Sequence, residues 1–194
     1  MDQHFYWYTS RATGIVAYVL LAAAMAWGVA HSIRLLRQPR PPWMLDMHRF
    51  LGGIAVVFVL IHVFVLLGDN YANYSVLDLL VPFSAQSAIA KKDAVPMTLG
   101  IVAMYLLVAV EISSLLMRRL PRRFWKAIHY MSYGLYALAT VHLLLIGSDA
   151  DNIVLQWTVL ICCAINVFLV IVRIAAPKRD PKPDREPDRV ATSA

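Results

Sequence analysis

Four histidines stand in apolar surroundings as two pairs: His48 and His62 are fourteen residues apart, and His129 and His142 thirteen. The first pair brackets Arg-Phe-Leu-Gly-Gly-Ile-Ala-Val-Val-Phe-Val-Leu-Ile, which carries no charge after its opening arginine. An imidazole inside lipid needs a partner for its ring nitrogens, so two such pairs point to a bound metal or a haem. At 1.5 Å of helical rise per residue the separations are about 21 Å and about 20 Å, so two planar groups can each be gripped by one histidine from each segment. Haem b suits this plan, because its iron takes two axial nitrogens and its ring fills an apolar slot between helices. Zinc or copper fits less well, since two imidazoles per level leave the other positions without cysteine or carboxylate ligands.

The helical phase of the two pairs differs. Fourteen residues advance about 1400°, close to four turns, whereas thirteen advance about 1300° and leave the rings about 140° apart. The second histidine helix must therefore bend or rewind, and Gly134 is the place expected for the distortion.

The elements that carry these residues are membrane spans. Of 194 residues, 60% are hydrophobic and 15% charged, which describes an integral membrane protein of all-α class. Crossing a hydrocarbon core takes about 20 helical residues. Five segments meet that length, near 12–36, 49–68, 95–117, 124–147 and 152–176. Residues 1–176 form one polytopic bundle, and 177–194, alternating Pro, Asp, Lys and Arg, form a disordered cytoplasmic tail.

The net charge of +6 is no nucleic-acid footprint, because its basic residues cluster by position. They follow the first span (Arg34, Arg37, Arg40, Arg49), the third (Arg118, Arg119, Arg122, Arg123, Lys126) and the fifth, leaving only Arg11, Lys91 and Lys92 on the other side. The positive-inside rule then sets the N-terminus outside and the C-terminus in the cytoplasm of a multi-pass cell-membrane protein. Asp2 and the run Phe5-Tyr6-Trp7-Tyr8 precede the first helix where a secretory signal carries lysines, so that helix reads as retained.

Several side chains admit two readings. Arg11 either snorkels to headgroups or pairs with a haem propionate at the outer face. Gly52 and Gly53 either let helices pack closely or let a porphyrin lie against the backbone. Arg49, with Arg122, Arg123 and Lys126, contacts inner propionates, docks an acidic donor, or only fixes topology. Glu111, an acidic residue well inside a span, is a functional candidate or the partner of an arginine such as Arg118. His31 reads as a wetted residue at the inner edge, Cys162 and Cys163 as apolar core, and 75–83 as an amphipathic piece on the membrane surface.

The His48-Arg-Phe-Leu-Gly start, the fourteen-residue step to His62, the segment Trp125-Lys-Ala-Ile-His129-Tyr-Met-Ser-Tyr-Gly134 and the thirteen-residue step to His142 resemble the ferric reductase-like transmembrane domain. The Ser10-Arg-Ala-Thr-Gly14 opening is similar to its bacterial members. The resemblance spans roughly 7–175 and implies two haem b groups, with His48 and His129 as axial ligands of the inner iron and His62 and His142 of the outer one. Larger members carry a cytoplasmic domain for FAD and NADPH; here no Gly-x-Gly-x-x-Gly loop or flavin motif stands in the chain. That implies a separate electron donor, a flavoprotein or a membrane quinol, and an acceptor protein or small molecule outside the cell. The expected function is an electron-transfer component of an oxidoreductase. The alternatives are a ferric or oxygen reductase working at its own outer face, and a haem-free subunit conducting protons or ions.

Overall fold

A computed structural model of the chain describes residues 3–33, 41–69, 74–84, 93–146 and 151–176. Its helices are α1 (Gln3–Ser32), α2 (Trp43–Leu67), α3 (Val76–Leu80), α4 (Ala94–Leu115), α5 (Arg122–Tyr130), α6 (Ser132–Ile146) and α7 (Ile153–Ala175); no strand occurs among the described residues. Long runs of Leu, Val, Ile and Ala favour helices, and in lipid a helix is the form that satisfies its own backbone. Local signals set the ends. Gly68 closes α2 with its N–H on the Val65 carbonyl at 3.1 Å, and the Asn152 side chain accepts from Val154 N at 2.9 Å to open α7. A capping box of Ser75 and Asp78 opens α3.

Among the described residues four helices are long and apolar enough to cross a membrane: α1, α2, α4 and α7. The segment expected as a single span over 124–147 is instead two helices, α5 and α6, of 9 and 15 residues, meeting at Met131. The distortion expected at Gly134 thus lies three residues earlier. The Met131 N–H bonds Ile128 O at 2.9 Å, three residues back, while α6 starts anew with Leu135 N on Met131 O. That tightened turn follows His129 directly. At Gly134 the helix continues undisturbed.

The bundle pairs α1 with α2 and α4 with α6, and α1 also contacts α6 and α7. Small residues of α1, Ala17, Ala22 and Ala24, are buried where neighbours approach, and Ala55 of α2 is fully enclosed. A cluster of Tyr18, Ala22, Tyr136, Leu155 and Val159 joins α1, α6 and α7, and Ala103, Leu107 and Leu135 join α4 to α6. Large apolar side chains point outward instead, Phe64, Leu115 and Ile174 among them, as lipid-facing surfaces require. The α3 loop docks on α4: Tyr105 donates to Leu80 O, and Phe83 N–H bonds Thr98 Oγ1 at 3.1 Å. Residues 177–194, expected as a disordered tail, lie outside the described residues, as do Arg34, Arg37, Arg40, Lys91 and Lys92.

Candidate functional site

Three of the four histidines are held in one way. The His48 Nδ1 lies 2.9 Å from Ala24 O, His62 Nδ1 2.7 Å from Ser10 O, and His142 Nδ1 2.7 Å from Pro96 O. In each case the residue four positions beyond that carbonyl is a glycine: Gly28, Gly14 and Gly100. A Cβ there would stand 2.9, 3.1 and 2.6 Å from Cε1 of the corresponding ring, closer than side chains pack. The glycine therefore opens the helix surface so that the imidazole reaches a backbone carbonyl already engaged inside the helix. A carbonyl only accepts, so Nδ1 carries the proton and donates, which assigns the tautomer with Nε2 free as a lone-pair donor. This is the outer support that metal-binding imidazoles need.

The register follows from the sequence. Gly14 and Gly28 are fourteen residues apart on α1, as His48 and His62 are on α2, and the two helices run antiparallel so that Gly14 meets His62 and Gly28 meets His48. These seats were not among the residues singled out from the sequence. The equal fourteen-residue steps of glycine and histidine were the available signal.

His129 is different. Its ring centroid is 6.0 Å from that of His48 with the planes at 78°, and Trp125, one turn earlier, stacks on it at 5.1 Å and 22°. Its Nδ1 and the Trp125 Nε1 are buried, and among the described residues neither has a hydrogen-bond partner. Fourteen residues past Pro96 and Gly100, α4 carries Val110 and Ser114 rather than a second glycine, and Ser113 Oγ already donates to Val110 O at 2.9 Å.

Two imidazoles sharing one metal need roughly 2 Å of metal–nitrogen bond on each side plus the ring radii, which is the order of the His48–His129 separation. Among the described residues no group of three or more His, Cys, Asp or Glu could hold an ion unaided. His62 and His142 both line a cavity of about 340 Å³ together with Gly14, Gly100 and Arg11, within the size range of small-molecule and cofactor sites. The remaining lining is mainly aliphatic side chains of α1, α2, α4 and α6.

The other singled-out residues fall as follows. Arg11 lines this cavity with its guanidinium carbon 3.9 Å above the Trp7 ring. Arg49 is exposed and 3.9 Å from Asp46, an arrangement of little energetic weight. Gly52 is buried beneath Glu111, whose Oε1 would lie 2.5 Å from an added Cβ; Gly53 is exposed with nothing within 4 Å. Glu111 has no hydrogen bond or ion pair among the described residues, so the arginine pairing considered for it is not formed there. His31, read as wetted, has its Nδ1 buried. Cys163 joins a polar knot with Tyr18 and Tyr136, whose hydroxyls are 3.1 Å apart. At the loop end of the cavity stand Asp69, Asp93 and Tyr74; burial, then the carboxylates of Asp93, Asp69 and Asp78, push the Tyr74 phenol above its usual range.

Fold and site define a helical membrane protein with four imidazoles among its helices, three of them anchored on backbone carbonyls. The family model described as ferric reductase like transmembrane component matches residues 13–140, so the chain belongs to that family and is a multi-pass membrane protein. No curated protein and no solved structure matches it.

Proposed function

We propose that the chain is a dihaem transmembrane electron carrier, with His48 and His129 holding the inner haem b and His62 and His142 the outer one. The observation that carries this reading is the triple Nδ1–H···O=C seat, which leaves Nε2 of His48, His62 and His142 free to coordinate. Haem iron, when bound, supplies the one-electron chemistry. The protein's own work is to fix four rings at two depths, keep water from the aliphatic slot, and hold Arg11 where a propionate can meet it.

In this reading α5 and α6 together make the fifth crossing, with the N-terminus outside and the C-terminus in the cytoplasm. Electrons then enter from a flavoprotein or quinol on the inner side and leave to an acceptor protein or small molecule outside. A negative-inside potential favours that direction by roughly 2.3 kcal/mol per electron per 100 mV. A reduced-minus-oxidised spectrum of protein expressed with ample haem tests it: a low-spin b-type signal at two haems per chain supports the assignment, and a colourless preparation sinks it. A second reading, reduction of a ferric chelate or oxygen at the outer face, draws on the polar end of the cavity at Arg11, Tyr74 and Asp93. Proteoliposomes with reductant trapped inside bear on the two: reduction of an external ferric chelate or oxygen with no protein partner present favours the second reading, and transfer that starts only when an acceptor protein is added favours a dedicated protein acceptor.

A further inference from the structure

Arg173, in the last turn of α7, reaches the junction of α5 and α6. One terminal nitrogen donates to the Tyr133 hydroxyl at 2.6 Å and the other to the Tyr130 hydroxyl at 3.5 Å, and the guanidinium carbon lies 5.8 Å from the centre of the Tyr130 ring. Among the described residues no carboxylate pairs with it. A guanidinium only donates, and a tyrosine that accepts from it still has its own proton to give. Three donor groups therefore meet at one place on the surface, with a positive charge and no negative one. The neighbouring face of α5 adds to that charge. Arg123 and Lys126 stand seven and four residues before Tyr130, so at about 100° per residue both point within about 40° of its direction, and all three are exposed.

We propose that Arg173, Tyr133 and Tyr130 form the phosphate seat of an anionic phospholipid. The phosphodiester supplies what the three groups lack: a negative charge, and oxygens that accept from a guanidinium fork and from hydroxyls. The surroundings select a lipid over a soluble anion. Met131 and Ile174, adjacent in sequence to Tyr130 and Arg173, are exposed, and Leu169 stands one turn before Arg173 on the same face of α7. Gly134 has nothing within 4 Å of an added Cβ, so acyl chains find apolar surface and open space beside the seat. Charge selects an anionic lipid over a zwitterionic one, because Arg123 and Lys126 repel a choline or ethanolamine cation and leave an anionic headgroup unopposed. Tyr130 directly follows His129, so the bound phosphate ties α7 to the break at Met131 and to the histidine that has no backbone seat among the described residues.

The seat belongs to the polypeptide itself, so its test does not pass through haem. Full-length protein in neutral detergent is titrated with phosphatidylglycerol or with phosphatidylcholine, and the lipids held per chain are counted by native mass spectrometry. Wild type should hold one phosphatidylglycerol at concentrations where phosphatidylcholine does not bind. Tyr133→Phe removes one hydroxyl and no charge, and its affinity for phosphatidylglycerol should fall by about tenfold, the measure of one hydrogen bond to a charged group. Arg119→Gln, which removes an exposed charge away from the seat, should leave that affinity unchanged. Equal affinity in Tyr133→Phe overturns the proposal, because diffuse attraction to a basic surface depends on charges and not on hydroxyls. Equal binding of the two lipids by wild type overturns it whether or not the variants fold, and is the result if an acidic residue of 177–194 occupies Arg173 instead. Phosphatidylglycerol should also raise the melting temperature of wild type and not of Arg173→Gln. Inorganic phosphate that raises it as far assigns the seat to a free anion and overturns the lipid.

Discussion

Gly100→Ala is the sharpest probe of the seats. The new methyl would lie 2.6 Å from Cε1 and 2.7 Å from Nδ1 of His142. Carbon contacts settle at about 3.5–4.0 Å, so the ring must retreat by roughly 1 Å. The bond from Nδ1 to Pro96 O, 2.7 Å in the wild type, then stretches past the range in which a hydrogen bond survives. Losing it costs about 1 kcal/mol, or about 1–3 kcal/mol if the donor stays buried and unpaired, while alanine returns up to about 1 kcal/mol of helix propensity. The two nearly cancel in stability, so melting temperature is a poor readout. Haem content is a good one: the variant should fold, retain one haem per chain, and lose the outer b-type signal, whereas Gly53→Ala, with open space around it, should retain both. Damage should follow the clearances, Gly100 at 2.6 Å before Gly28 at 2.9 Å before Gly14 at 3.1 Å, with Gly28→Ala striking the inner haem instead. Two haems with unchanged spectra in Gly100→Ala would refute the seat argument.

Replacing His62 or His142 with alanine should halve the haem content and stop electron transfer across proteoliposomes; full transfer in either variant contradicts the ligand assignment. Gly52→Ala meets Glu111 Oε1 at 2.5 Å, but that atom ends a flexible side chain with no bond to hold it among the described residues. Alanine also returns up to about 1 kcal/mol of helix propensity, so thermal unfolding in detergent should show a change of less than about 1 kcal/mol. A loss of several kcal/mol that Glu111→Ala relieves in a double-mutant cycle would mean the carboxylate is fixed in place. Tyr74 has its phenol pKa raised by burial and by Asp93, Asp69 and Asp78, so its ionisation resists folding only in alkali. The unfolded chain loses this proton near pH 10 and the folded chain at higher pH, so stability falls as pH rises through that window and is intact below it. Tyr74→Phe should flatten the fall; an unchanged slope between about pH 9 and pH 11 would remove Tyr74 as its cause.

Hydropathy made most of the bundle legible, because lipid demands uninterrupted apolar helices and leaves little else to read. The ends of α4 and α7 fall within two residues of the expected spans, whereas α1 starts nine residues before the expected 12, taking in the aromatic run read as a segment outside it, and α2 starts six before the expected 49. The break at Met131 was not legible, since Tyr130, Met131 and Ser132 contain neither proline nor glycine. Only the phase mismatch of His129 and His142 announced that something had to give, and Gly134 drew attention because flexibility was sought in a residue type rather than next to the constrained histidine. Two ring levels were legible from spacing, and the structure brings His48 beside His129 and sets His62 and His142 on one cavity. The anchoring carbonyls were beyond reach, since a backbone oxygen has no letter in the sequence; only its glycine four residues on does.

The break has the right sense for the phase it must correct. Thirteen residues fall about 140° short of four turns, and a turn closed through a bond three residues back winds at about 120° per residue instead of about 100°. The tightening at Met131 therefore adds rotation, as needed, but one such turn recovers roughly 60°, and the direction change between α5 and α6 must supply the rest. That partial correction fits the one asymmetry among the four rings. On α1 and α2 equal fourteen-residue steps let both histidines use the same glycine-and-carbonyl seat; across α4 and the broken helix, His142 alone does so. His129, on the far side of the break, has turned off the α4 backbone and onto Trp125. The thirteen-residue spacing thus has a structural consequence of its own: it frees one Nδ1 of the four from the protein's backbone, at the end of the bundle where the cations gather.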